Sequence, residues 1–235
     1  MELKTASGDS PKFELESIAE TIRGCADCPL HETRKNAVPG QGSHKARVVL
    51  VGEGPGRFED EAGAPFVGRA GELLNQLLAE VNILRDDVFI TNIIKCRPPQ
   101  NRDPAPDEVQ SCEKYLKRQL DLIRPDVIVT LGRHALNWFR PDSKISQMHG
   151  AFFVHKDSTI ILPLYHPAAA LRNSALLTEL KSGFAKISAA LVESLKMRAN
   201  AERTQTLGGD GAPADAPRDA NAPESADEPN QSNLL

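Results

Sequence analysis

Residues 47–81 read RVVLVGEGPGRFEDEAGAPFVGRAGELLNQLLAEV. The opening RVVLV is a short β-branched run that stops at Gly52. Leu73, Leu74, Leu77, Leu78 and Val81 then recur at helical spacing along one face of Arg69–Val81. A strand, a glycine-bearing loop and an amphipathic helix together form the repeating unit of an α/β sheet. Two more strands follow, VFIT at 88–91 and DVIVTL at 126–131. Pro106 suits the first turn of a helix over Pro106–Ile123, with Asp107 and Glu108 favourable at its positive end, and another helix follows over Arg133–Phe139. Ala151–Val154 and Thr159–Leu164 read as two strands joined by a turn at Lys156–Asp157–Ser158. A helix over Phe13–Arg23 precedes the pattern, and a long helix from Asn173 to Met197 closes it. Units of this length predict an α/β fold: a single three-layer domain with a central, mainly parallel sheet flanked by helices. In such sheets, ligands bind at the carboxyl ends of the strands.

The flanks differ in composition. From Arg198 to Leu235 the chain has 3 basic and 7 acidic residues, which accounts for the whole net charge of −4. That stretch is rich in Ala, Pro, Gly and Asp and has too few apolar side chains to offset its ordering entropy. It divides the chain into a flexible N-terminus at 1–12, a folded domain at 13–197 and a disordered acidic tail at 198–235. The tail's plain reading is solubilisation; a partner for it is not specified. No apolar run is long enough to span a bilayer, and Met1–Phe13 has no apolar core of a secretion signal. The expectation is a cytoplasmic monomer.

Four cysteines, Cys25, Cys28, Cys96 and Cys112, are the only ones in the chain, spaced C-x2-C, then 67 residues, then C-x15-C. In a reducing compartment, thiols gathered this way hold metal more often than they form disulfides. Spacing alone leaves iron–sulfur, zinc and unconnected buried cysteines open.

The unusual residues fall after the strands: GEGPGRFEDEAGAPFVGRAG after the first, NIIKCRPPQNRD after the second and YHPAAALR after the last. Glycines at 52, 54, 56, 63, 68 and 71 suit a tight loop with close backbone approach to a ligand. A nucleotide-phosphate loop is the rival reading, but the pattern lacks GxxxxGK followed by Ser or Thr. Taken with the cysteines, GEGPG (52–56), GAPFVGRAGELL (63–74), TNIIKCRPPQNRDP (91–104) and HPAAALR (166–172) resemble the family 4 uracil-DNA glycosylases of bacteria and archaea, which carry an iron–sulfur cluster. The resemblance spans about Ile18–Lys186. It implies a uracil-DNA glycosylase-like fold and a DNA repair enzyme that flips uracil from single- or double-stranded DNA and hydrolyses its N-glycosidic bond. It also implies a 4Fe-4S cluster held by Cys25, Cys28, Cys96 and Cys112.

The residues suit that chemistry. A flipped base needs a stacking platform, and Phe66 lies between loop glycines. Reading uracil against cytosine needs a group that donates to O4 and accepts from N3–H, which an amide such as Asn92 does and a carboxylate does not. His166, at the family's histidine position, can donate to uracil O2 as negative charge develops there. By resemblance Glu53, Gly54 and Glu59 also lie in the pocket. Glu53 is favoured for stabilising the oxocarbenium-like sugar or placing water. Arg57, Arg69, Lys95, Arg97, Arg102 and Arg172 lie in or beside these loops as candidate phosphate contacts.

The chain departs from the family in having His149–Gly150 where relatives often carry Arg-Gly. It also lacks the longer basic insertion of the relatives that form a covalent histidine adduct with DNA, so ordinary turnover is expected. Two rival readings are a non-catalytic iron–sulfur DNA-binding module on the same fold and a zinc-stabilised nucleotide-processing enzyme.

Overall fold

The computed structural model describes residues 10–207. In chain order the helices are α1 (Pro11–Gly24), α2 (Leu30–Thr33), α3 (Arg57–Ala62), α4 (Arg69–Glu80), α5 (Pro106–Ile123), α6 (Arg133–Phe139), α7 (Ile145–Met148), α8 (Pro167–Ala170), α9 (Ala175–Ala185) and α10 (Ile187–Leu207). The strands are β1 (Gln41–Gly42), β2 (Val48–Gly52), β3 (Phe89–Asn92), β4 (Val127–Leu131), β5 (Phe153–Val154) and β6 (Ile160–Leu164). They form one sheet in the order β1-β3-β2-β4-β6-β5. The four inner strands are parallel, and the two short edge strands run antiparallel to them.

Alternation along each buried strand separates the two faces. Val48 and Leu50 of β2 point into a core shared with α4, α9 and α10. Val49 and Val51 point into a second core with α1, α2 and α5. Both faces of every inner strand are therefore apolar, the pattern expected of a parallel sheet covered by helices on both sides. Pro163 lies inside β6 opposite Thr130 of β4, beyond the end of the β5 pairing. Its carbonyl accepts the Gly150 N–H at 2.8 Å, and beyond the end of β5 a missing N–H is tolerated.

Several boundaries differ from expectation. The glycine-bearing loop after β2 contains the helical turn α3, and β1, α2, α7 and α8 are too short to show a periodicity. The expected long helix from Asn173 is two helices that meet at Lys186, and the second continues ten residues past Met197, to Leu207. Arg198 is anchored there by ion pairing to the buried Asp126 at 2.9 Å and by a hydrogen bond to the Pro125 carbonyl. The folded part therefore extends past 197, while α1 begins at Pro11. The rest of the expected tail and residues 1–9 lie outside the described residues.

Parallel register brings the functional loops to one edge. Gly52 pairs with Asn92, so the end of β2 and the end of β3 are level. Ile93 and Ile94 continue the ladder by donating to the carbonyls of Gly52 and Glu53. Leu131 at the end of β4 pairs with Leu164 of β6, and His166 follows two residues later.

Candidate active site and cysteine centre

Phe66, Asn92 and His166 meet at this carboxyl edge around Gly52. A Cβ built on Gly52 would come within 2.4 Å of Asn92 Oδ1 and 2.9 Å of Phe66 Cζ, so only glycine lets these side chains converge. The Phe66 ring stacks on the His166 imidazole, with centroids 5.5 Å apart at 27°. Asn92 is buried, and its side-chain amide makes no hydrogen bond among the described residues.

Phe66 has φ +50°, a left-handed conformation that is strained for a bulky side chain. The surrounding structure enforces it. Arg85 donates to the Pro65 carbonyl at 2.7 Å, and Glu59 Oε1 accepts the N–H groups of Val67 and Gly68 at 3.0 and 3.1 Å. Helix α4 starts so close that a Cβ on Gly71 would lie 1.8 Å from the Phe66 carbonyl oxygen. Glu59 thus braces the loop's backbone and also lies near enough to His166 to act on that ring's charge. Gly54 packs closely on the Ile94 side chain, where a Cβ would approach within 2.7 Å.

His166 is the N-cap of α8, and its Nδ1 accepts the Ala168 N–H at 3.1 Å. That bond places the proton of the neutral ring on Nε2. Burial lowers the His166 pKa to about 4, with nearby Glu59 opposing the shift and Arg172 adding to it. The ring is therefore a neutral Nε2–H donor at neutral pH. His149 holds the preceding residue: its Nδ1 accepts the Tyr165 N–H at 3.0 Å, its Nε2 lies 2.9 Å from the Glu179 carbonyl, and the ring stacks on Tyr165.

Glu53, just beyond β2, is partly buried, which raises its pKa. His134 opposes the rise, Asp103 adds to it and Arg133 opposes it. His134 Nε2 lies 3.7 Å from Glu53 Oε2 and 3.4 Å from Asp103 Oδ1. Sequence reading missed Asp103, Arg133 and His134. They come from two separate segments, and only the fold brings them to Glu53.

The candidate phosphate contacts divide. Arg57, Arg69 and Arg172 are exposed near the site; Arg57 makes a loose 3.9 Å approach to Glu61 and lies over the Phe58 ring, 4.8 Å from its centroid. Lys95 is not a DNA contact. It is fully buried, and its ammonium donates to Thr91 Oγ1, the Asn92 carbonyl and Gln119 Oε1 at 2.5–2.8 Å. Burial lowers its pKa to about 8. Arg102 is locked in a two-pronged pair with Glu108, which also caps α5 by accepting the Ala105 N–H. Arg97 donates to Asn101 at 2.7 Å. These three serve the loop's own structure.

Cys25, Cys28, Cys96 and Cys112 line a single cavity together with Arg34 and Tyr115. Arg34 donates to Cys96 Sγ at 3.0 Å, and the Lys95 backbone N–H donates to Cys112 Sγ at 3.3 Å. Burial raises the thiol pKa of Cys112 to about 11. Four thiolates can share this site only with a compensating cation, so the donor set fits a four-sulfur metal centre.

Comparison with known families settles the kinship. Residues 39–191 match the model of the uracil DNA glycosylase superfamily. A type-4 uracil-DNA glycosylase from Saccharolobus solfataricus is 45% identical over 186 residues, covering 75% of this chain and 86% of that protein. The Sulfurisphaera tokodaii protein of the same name is 48% identical over 182 residues, covering 74% and 83%. The chain belongs to the type-4 uracil-DNA glycosylases. A third relative with that name, from Archaeoglobus fulgidus, is 48% identical over 181 residues, covering 74% of this chain and 91% of its own. For this type-4 member, the carboxyl-edge cluster of Phe66, Asn92 and His166 is the candidate active site. No helix among the described residues is long and apolar enough to cross a membrane.

Proposed function

We propose that this protein excises uracil from single- or double-stranded DNA by hydrolysing the N-glycosidic bond, leaving an abasic site for repair. The observation that carries this reading is the convergence of an aromatic face, an unengaged amide and a neutral imidazole donor around Gly52. The flipped uracil lies against Phe66, whose fixed ring lowers the entropy lost on binding. Asn92 donates to O4 and accepts from N3–H. As the glycosidic bond lengthens, electron density moves onto uracil O2, and the Nε2–H of His166 donates there. A donor of this kind stabilises the transition state more than the bound substrate. Because the ring is already neutral, no proton need be transferred to uracil. The Glu53 carboxylate faces the positive charge that builds on the sugar, or orients the attacking water. The exposed guanidinium groups of Arg57, Arg69 and Arg172 bind the flanking phosphates.

Cys25, Cys28, Cys96 and Cys112 would hold a 4Fe-4S cluster, which when bound supplies a rigid cross-link between the Cys25 segment and the loop after β3. Visible charge-transfer absorption would separate it from zinc. The protein is read as a monomer in the cytoplasm, with its acidic C-terminal stretch serving solubility. Incubation with a uracil-containing oligonucleotide followed by alkali should give a single strand break at the uracil position. An intact strand after alkali would favour the non-catalytic DNA-binding reading.

A further inference from the structure

His134 Nε2 lies among three charged neighbours. Arg133 Nε donates to it at 3.0 Å, Asp103 Oδ1 lies 3.4 Å away and Glu53 Oε2 lies 3.7 Å away. Arg133 also pairs directly with Asp103. One nitrogen cannot satisfy all three at once. Without a proton, Nε2 accepts from Arg133 and has nothing to donate to the two carboxylates. With a proton, it loses the bond from Arg133 and donates to a carboxylate instead, as a neutral Nε2–H ring or, when Nδ1 is protonated as well, as a cation facing both carboxylates. The imidazole is only about a quarter exposed, so these charges are not fully screened by solvent.

We propose that His134, braced by Asp103 and Arg133, is a positioning residue that keeps the Glu53 carboxylate ionised. Glu53 is the carboxylate assigned above to the sugar or the water, so the inference rests on that reading of its role. Burial favours the neutral acid at Glu53, and a neutral acid stabilises neither an oxocarbenium-like sugar nor an attacking water. The groups facing it are His134 and Arg133 from α6 and Asp103 from the loop after β3. The two from α6 favour its ionised form, while Asp103 disfavours it directly and holds His134 and Arg133 in place. The imidazole and guanidinium of α6 thus hold Glu53 charged to lower pH than burial alone would permit. Asp103 belongs to the loop that leaves Cys96 and is fixed by the Arg102–Glu108 pair. The network thus links the cysteine-bearing loop to the active-site carboxylate through side chains in contact.

The test uses the full-length, cluster-loaded protein and His134→Gln, which preserves polarity but never carries charge. With the glutamate side-chain carboxyls labelled with ¹³C, and Glu53 assigned by its loss in Glu53→Gln, the Glu53 titration is followed without DNA. In His134→Gln its midpoint should move up by about half to one pH unit, the shift expected on losing a nearby opposite charge. Single-turnover uracil excision should show the same upward displacement of its acid limb, with the plateau above it within about threefold of the unsubstituted protein. In a Glu53→Gln background, His134→Gln should add no further change. An unmoved Glu53 titration overturns the proposal. So does an equal loss of rate at every pH, or a full additional loss in the Glu53→Gln background. The carboxyl titration is read without turnover, so absence of excision in the unsubstituted protein would count against the glycosylase reading and leave this inference to be decided by the titration.

Discussion

The phenyl ring of Phe66 lies over the imidazole of His166, with centroids 5.5 Å apart and planes at 27°. The two rings come from loops distant in sequence, one after β2 and one after β6, and form one wall of the site. Each is held by backbone hydrogen bonding. Glu59 takes up the amides that follow Phe66, and His166 accepts the Ala168 N–H inside its own loop. The aromatic face and the hydrogen-bond donor are therefore positioned relative to each other before any base arrives. That arrangement reduces the reorganisation required in the transition state.

Glu59 should behave as a brace. Glu59→Ala leaves two loop amides without their acceptor and releases the left-handed Phe66. The expected result is a loss of stability of about 1–3 kcal/mol and a fall in excision rate larger than the fall in affinity for abasic product. Denaturant unfolding and single-turnover kinetics measure the two effects. Unchanged stability with a rate loss confined to the chemical step would instead make Glu59 a direct participant.

The chemical step should depend on His166 without a histidine titration near neutrality. His166→Ala should slow single-turnover excision by about 10²-fold or more, the usual scale for one donor to developing charge. Burial lowers the ring's pKa from 6.5 to about 4, so the imidazole remains neutral through the physiological range. The unfolded chain binds this proton at higher pH than the folded one. The sign is therefore that stability falls as pH drops from 6.5 towards 4 and gains nothing from this group above 6.5. His166→Asn should flatten that part of the melting-temperature profile. A rate that rises with a midpoint near 6.5 and loses that limb in His166→Asn would contradict the neutral-donor assignment.

Much of this site was legible in the sequence because the informative residues sit next to strand ends. RVVLV stopping at Gly52 and VFIT stopping at Asn92 place both loops on one edge as soon as the strands are taken as parallel. Lys95 misled for a physical reason. In NIIKCRPP it lies two residues from the partly exposed Arg97, yet its side chain turns back along β3 to the Asn92 carbonyl and to Gln119. The available signal was Gln119 itself, a polar residue on the apolar stripe of α5 between Leu116 and Ile123, which required a buried partner. Asp103 and His134 gave no local signal. Neither lies at a periodic position, and their meeting at Glu53 depends on the path of the loop after Cys96.

The arginines and the buried lysine should separate in their salt dependence. Replacing Arg57, Arg69 or Arg172 by Gln should weaken DNA binding regardless of sequence. Each should also reduce the slope of log affinity against log salt by about 0.7–0.9, the value of one phosphate contact. Lys95→Met should leave that slope unchanged and alter melting behaviour instead, because its ammonium contacts only protein oxygens. Fluorescence anisotropy across a salt series measures the slopes. A reduced slope for Lys95→Met would mean that the side chain reaches DNA.

Base choice should rest on Asn92. Its side-chain amide, level with Gly52 and unengaged among the described residues, can present N–H to uracil O4 and a carbonyl to N3–H. Cytosine reverses both edges, with an amino group at C4 and an acceptor at N3. With the amide oxygen turned to N3–H as for uracil, the mismatch in this buried position sets donor against donor and acceptor against acceptor. Hydrogen-bonding sites of this kind discriminate by about 10⁴-fold or more. Asn92→Ala should lose most uracil excision and gain none on cytosine, since it removes the reader without supplying another. Asn92→Asp sets a carboxylate oxygen against O4, which repels uracil and accepts from the cytosine amino group. Its uracil activity should fall steeply, and any cytosine excision should strengthen as pH is lowered, because a protonated carboxyl can then donate to cytosine N3. Single-turnover assays on matched oligonucleotides, with a pH series for the aspartate variant, measure each outcome. If Asn92→Ala retains near-unchanged uracil excision, the residue merely ends β3, and another group reads the base.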